Sequence, residues 1–149
     1  MKDSSQSLSA YADPTVMRHV LATSRSIALV GLSPRPDRPS HQVAAYLKAH
    51  GYRVIPVNPV ADQIIGERCF PDLHAIGEPV DLVDVFRNAD DCPEVAAQAR
   101  AIGARAFWLQ IGVISMEAAR TAAAAGLAVV MDRCTKIEHE RLLGTDRQH

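Results

Sequence analysis

The sequence predicts an α/β fold, with helices wound on both faces of one parallel sheet of five or six strands. Three observations predict it. Five short apolar-rich runs, at residues 27–30, 54–57, 80–86, 106–109 and 127–131, read as strands. The first of them has no polar alternation, which suits a strand buried on both faces. Between the runs lie segments of helical period, three of which stop at a glycine: Gly51, Gly103 and Gly126. The 149 residues suit a single domain, which buries about two thirds of its unfolded surface without a disulfide or metal. Strands alternating with helices require right-handed crossovers, and these generate the parallel sheet.

The elements follow in order. Residues 1–12 are Ser-rich and aperiodic and are expected to form a flexible arm ahead of a domain spanning 13–144, with a tail at 145–149. Asp13 and Pro14 read as a helix cap and first helical position, since proline there gives up only an unused donor. Val16, Val20 and Leu21 supply that helix with one apolar stripe. The first strand ends at Gly31. Ser40 is expected to cap a helix carrying Val43, Tyr46, Leu47 and His50. After the second strand, residues 58–79 offer only a short helix around 72–76, so this crossover reads mostly as loop. A helix opening near Pro93 carries Val95, Ala99 and Ile102, and Ser115 caps an alanine-rich helix. The last helix opens on Thr135-Lys136-Ile137-Glu138, a capping-box pattern.

Composition excludes several classes of function. Sixteen basic against seventeen acidic residues give a net charge of −1 and argue against a general nucleic-acid binder. Three widely spaced cysteines without a CxxC pair oppose a disulfide framework or a zinc site. No apolar run reaches the roughly 18 residues of a membrane span, and the N-terminal residues do not resemble a signal peptide, so a cytoplasmic location is expected. The six histidines show no metal-ligand spacing. GxGxxG, the P-loop, HExxH and GxSxG are all missing, so no catalytic or metal-binding residue is nominated.

In such sheets ligands bind beyond the carboxyl ends of the strands, where strand order reverses. That rule selects the loops after strands one, two, four and five. The first loop runs from Gly31 to Ser40. Its three prolines remove amide donors, leaving Ser33, Ser40, Arg35, Arg38 and the amides at the helix start. It is either a phosphate site, because guanidinium groups and helix N-termini attract phosphate, or a proline-stiffened surface loop. Strand two ends in Asn58-Pro59, without the acid that holds the ribose of a nicotinamide dinucleotide. Asn58 serves either a turn or a ligand. Trp108 reads as core, and Gln110 at a strand end needs either the crevice or a buried partner. Asp132 and Arg133 read as a surface pair. Basic neighbours of Cys134 are expected to lower its pKa if it is reactive, the alternative being a structural thiol.

The runs SIALVGLSPRPDRPSHQVAAYL, VIPVNP, VDLVDVFR, FWLQIGV and VVMDRCTKIEHERL resemble the small stand-alone coenzyme A-binding proteins. Those proteins are similar to the CoA-binding domain of the succinyl-CoA synthetase α subunit. The likeness extends from about Pro14 to Leu143 and implies a Rossmann-like CoA-binding fold with CoA or an acyl-CoA as ligand. Carried over by position, it implies that Gly31, Ser33, Arg38, Pro39 and Ser40 meet the pyrophosphate, and that Asn58 and Pro59 border the nucleotide end. Phe86 and Arg87 would line the wall beside it, Trp108 and Gln110 would flank the pantetheine arm, and Cys134 joins the set at the thiol end. Larger relatives carry a phosphorylatable histidine and a ligase partner in a second domain that this chain is too short to hold. Binding without catalysis is therefore expected, with the oligomeric state left open. The alternatives are a small NAD(P)-dependent oxidoreductase using the same crevice and a regulatory subunit that binds another protein.

Overall fold

A computed structural model describes residues 9–144; the expected tail at 145–149 and the first eight residues of the expected arm lie outside them. Tyr11, counted with that arm, packs against the core, and its carbonyl accepts from the Met131 amide at 2.8 Å.

The chain then runs through α1 (Pro14–Thr23), β1 (Ser26–Val30), α2 (Pro39–Ala49) and β2 (Arg53–Val57). A small hairpin follows, β3 (Gln63–Ile64) and β4 (Glu67–Arg68), and then β5 (Leu82–Val85). The remainder is α3 (Cys92–Ala101), β6 (Ala106–Leu109), α4 (Met116–Ala124), β7 (Ala128–Val130) and α5 (Thr135–Leu143). Five strands form one sheet in the order β2-β1-β5-β6-β7, all parallel. The order reverses between β1 and β5, so the crevice lies above the ends of those two strands.

Each strand sends alternate side chains to two separate cores. Ile27, Leu29, Val54, Leu82 and Trp108 face α1, α2 and α5. Ala28, Ile55, Val83, Val85 and Phe107 face α3 and α4. The alanines of α3 and α4 are wholly buried at Ala96, Ala99, Ala118, Ala119 and Ala122, which lets the two helices pack closely on each other. Fully burying one Leu, Ile or Val contributes about 1.5–3 kcal/mol, so both layers are strongly held.

The sheet has five strands, and the first, second and fourth fall where periodicity places them. The third and fifth are shorter than their apolar runs, because Val80 and Met131 are buried outside the ladder. Two expected caps are corrected. Arg38 is the N-cap of α2 with Pro39 behind it, while the Ser40 hydroxyl accepts from the Ser33 amide at 3.0 Å. Cys134 is the N-cap of α5; Thr135 lies inside the helix and donates its hydroxyl to Asp84, and Glu138 pairs with Arg141. A buried carboxylate makes a stronger demand on a hydroxyl than a helix end that water reaches. In the crossover at 58–79, expected to be mostly loop, the β3–β4 hairpin turns through Ile65 and Gly66, both at positive φ, with Lys48 donating to the Ile65 carbonyl.

Candidate functional site

The crevice is built first from a contact between two backbones. Gly31 ends β1 at φ +89°, and a Cβ there would stand 2.6 Å from the Phe86 carbonyl oxygen. Only glycine allows the loops after β1 and β5 to touch. The loop after the third strand of the sheet therefore adjoins the Gly31 loop, where the resemblance, though not the carboxyl-edge rule, had put Phe86 and Arg87.

Beyond Gly31 the first loop is knitted by its own polar groups. The Ser33 hydroxyl accepts from the Arg35 amide at 3.1 Å, and the Ser33 carbonyl lies 3.1 Å from His41 Nδ1. Arg35 pairs loosely with Asp37 at 3.5 Å, with both side chains well exposed. Arg38 is exposed and has no ion pair or side-chain hydrogen bond among the described residues. The first intrahelical bond beyond it is Gln42 N–H to the Arg38 carbonyl at 3.2 Å, so the amides of Ser40 and His41 precede the helical ladder. A free guanidinium beside a helix N-terminus is a place for an anion.

Asn58 is committed to its own turn. Its amide nitrogen donates to the Leu32 carbonyl at 2.9 Å, and its Oδ1 accepts from the Val60 and Ala61 amides at 2.7 and 2.9 Å. Pro59, Val30 and Val57 line a groove of about 180 Å³ together with Arg87, Asp91 and Glu94. Arg87 is held by Asp91 at 2.7 Å, and Phe86 is half-buried beside it. Wider hollows of about 530 and 570 Å³ open at the amino ends of the strands, on the edge away from the crevice loops.

Trp108 and Gln110 do not present side chains to the crevice. Trp108 is fully buried, with Nε1 donating to the Arg133 carbonyl at 2.9 Å. Gln110 is 3% exposed and donates to Asp84 and Thr135. The expected Asp132–Arg133 pair is replaced by separate bonds: Asp132, at φ +63°, accepts from the Gly112 amide, and Arg133 reaches the Asp132 carbonyl. Burial pushes the Cys134 thiol above its ordinary pKa, outweighing the amides of Ile137 and Lys136 and the Lys136 charge, so the expected lowering is reversed. Asp84 escaped the sequence reading; its signal was an acid flanked on both sides by apolar residues, Val83 and Val85, within the run VDLVDVFR. Among the described residues no group of His, Cys, Asp and Glu is placed to hold a metal, and no helix is long and apolar enough to cross a membrane.

Comparison with known proteins gives a consistent result. The family described as CoA binding domain matches residues 25–140. An uncharacterized protein of Bacillus subtilis, YneT, is 40% identical over 123 residues, covering 83% of this chain and 91% of that protein. A hypothetical protein from Pyrococcus horikoshii superimposes with a TM-score of 0.87 at 38% identity, covering 91% of this chain and 95% of that one. An ADP-forming acetate–CoA ligase of Archaeoglobus fulgidus is 33% identical over 76 residues, half of this chain but 11% of the ligase.

Proposed function

This chain belongs to the CoA-binding domain family, and on that premise we propose that it binds coenzyme A, free or acylated, across the carboxyl edge of its sheet without catalysing a reaction itself. The observation that carries the reading is the conjunction at the switch point: Gly31 against Phe86, the unpaired Arg38, and the open amides of Ser40 and His41. The pyrophosphate lies over Gly31, Ser33, Arg38, Pro39 and Ser40. Asn58 shapes the turn that presents Pro59, and Pro59 with Phe86 and Arg87 borders the nucleotide. Trp108 and Gln110 act from beneath, supporting the floor, and Cys134 lies toward the thiol end. The domain comprises residues 13–144, and the cytoplasm is where such a ligand is met.

Coenzyme A carries a 3′-phosphate that NAD lacks, which gives the cations of the crevice loops, Arg35, Arg38 and Arg87, a further anion to meet. Asn58 stands where a dinucleotide fold wants an acid, and its side chain serves the turn, which weighs against the nicotinamide alternative. Competitive titration against a fluorescent CoA analogue tests the reading. The expected order is CoA, then dephospho-CoA, with NAD and NADP far weaker, and added salt narrows the first gap by screening within about 8–10 Å. NAD competing as well as CoA defeats the proposal.

A further inference from the structure

Asp84 is the only acidic residue in the five-stranded sheet, and it sits in the middle strand at 0% exposure. Its register neighbours are Leu29 and Trp108. Gln110, just past the end of β6, donates Nε2–H to Oδ1 at 2.5 Å, and Thr135 in the first turn of α5 donates its hydroxyl to Oδ2 at 2.9 Å. Gln110 Nε2 also reaches Thr135 Oγ1 at 3.0 Å. One closed polar triad thus ties β5, β6 and α5 together beneath the carboxyl edge.

We propose that the buried Asp84 carboxyl is a proton-operated fastener, which sets how firmly the first turn of α5, with Cys134 as its cap, is held against the ends of β5 and β6. Its two protonation states satisfy different hydrogen bonds. In the ionised state both Gln110 amide hydrogens and the Thr135 hydroxyl hydrogen have acceptors, and the negative charge stands at the N-terminus of α5, where the helix dipole favours it. In the protonated state the new O–H is donated to Thr135 Oγ1, so the Thr135 hydrogen loses its acceptor and the charge-assisted bond becomes an ordinary one. Proton uptake therefore weakens the Thr135 link to α5, while proton loss leaves a charge in the core. The two costs are set against each other, since burial pushes the carboxyl up to about 7 against the lowering pull of Gln110 and Thr135.

Among the described residues no counter-charge opposes this. The inward faces of α1 and α2 are apolar, with Met17, Leu21, Val43 and Leu47. Arg133 is turned to the Asp132 carbonyl, Glu138 pairs with Arg141, and His139 meets the Tyr46 hydroxyl. The Lys136 ammonium lies over the Tyr46 ring, and the Cys134 thiol is pushed up in part by Asp84 itself.

Trp108 is the single tryptophan, beside Asp84 in register and hydrogen-bonded to the residue before Cys134, so its emission reports the carboxyl's charge. The ligand-free protein is titrated between about pH 5 and 9, where ordinary Asp residues no longer change charge. A one-proton transition in Trp108 emission is expected in the native chain, lost in Asp84→Asn and kept in Thr135→Ser. In Thr135→Val its midpoint moves upward, since a donor to the ionised state is gone. Protection of the amides of residues 136–139, corrected for intrinsic exchange, should change across the midpoint in the native chain and not in Asp84→Asn. A flat native profile overturns the proposal, as does a transition that survives in Asp84→Asn, which assigns it to a histidine. If Asp84→Asn fails to fold, the Thr135→Ser and Thr135→Val pair decides: identical midpoints overturn it. No ligand enters the test, so its failure is separate from a failure to bind CoA.

Discussion

Arg38 and Gly31 carry opposite kinds of demand at the same loop. Among the described residues Arg38 has no acidic partner, so its loss costs the fold little and the ligand much. Arg38→Ala should weaken CoA binding by about 1.5–3 kcal/mol, roughly ten- to more than a hundredfold, as for other charge-assisted phosphate bonds. The control is Arg68→Ala, whose guanidinium lies over the Phe70 ring and is not among the predicted phosphate contacts. Calorimetry showing equal effects from both removes Arg38 from the site. Gly31→Ala meets both a positive φ and a contact of 2.6 Å with backbone, neither of which a rotamer relieves. It should lower stability by more than about 1 kcal/mol in urea and weaken binding with it. Asp84 gives stability a pH dependence of definite sign. Its folded pKa stands at about 7 against an ordinary 3.8, so in that window the native chain keeps a proton that the unfolded chain has released. Its contribution is full below the lower value and is lost as pH rises through the upper one. The stability of the native chain relative to Asp84→Asn should therefore fall from pH 5 to pH 8; a constant difference in urea midpoints means that Asp84 does not titrate there.

Helices α3 and α4 show why the alanine-rich segment is not a compositional accident. Ala96, Ala99, Ala118, Ala119 and Ala122 have no exposed surface, and the helices meet through them without space for a larger side chain. Ala119→Leu should cost about 1–3 kcal/mol through overpacking, whereas the exposed Ala123→Leu should be nearly neutral. Equal urea midpoints for the two variants contradict close packing at this contact. At the element scale, caps separated what was legible from what was not. Asp13 and Ser115 cap as read, accepting from the Thr15 and Ala118 amides. Ser40 and Thr135 do not, because each hydroxyl is taken by a group outside the helix, the Ser33 amide of the preceding loop and the distant Asp84 carboxylate. Local pattern finds a cap only where no tertiary partner competes for it.

For the molecule as a whole, the proposed ligand should stabilise what the fold positions. A ligand that binds only the native state adds about 2.7 kcal/mol at a hundredfold excess over its Kd. For a domain of this size that raises Tm by roughly 5–10 °C. Coenzyme A should produce such a shift by calorimetric melting, Arg38→Ala should shrink it, and NAD should leave it small. A shift equal for both nucleotides would return the crevice to a generic dinucleotide site. Because the loops after β1 and β5 are joined at Gly31 and Phe86, occupancy is expected to tighten both at once.

Periodicity and punctuation were enough for the parallel α/β architecture, since apolar runs and helix-stopping glycines are local signals that tertiary packing reinforces. They also marked the Gly31–Ser40 loop, whose arginines and serines needed no partner to be noticed. Strand order was not legible, so although the resemblance had named Phe86 and Arg87, the backbone contact of Gly31 with Phe86 emerged only from the assembled sheet. The fate of the buried polar groups was equally hidden. The bond of Asn58 to the Leu32 carbonyl, that of Trp108 to the Arg133 carbonyl, and the Asp84–Gln110–Thr135 triad all depend on partners far apart in sequence. A buried donor or acceptor must be satisfied, but which distant group satisfies it is decided by the geometry of packing and leaves no mark in local spacing.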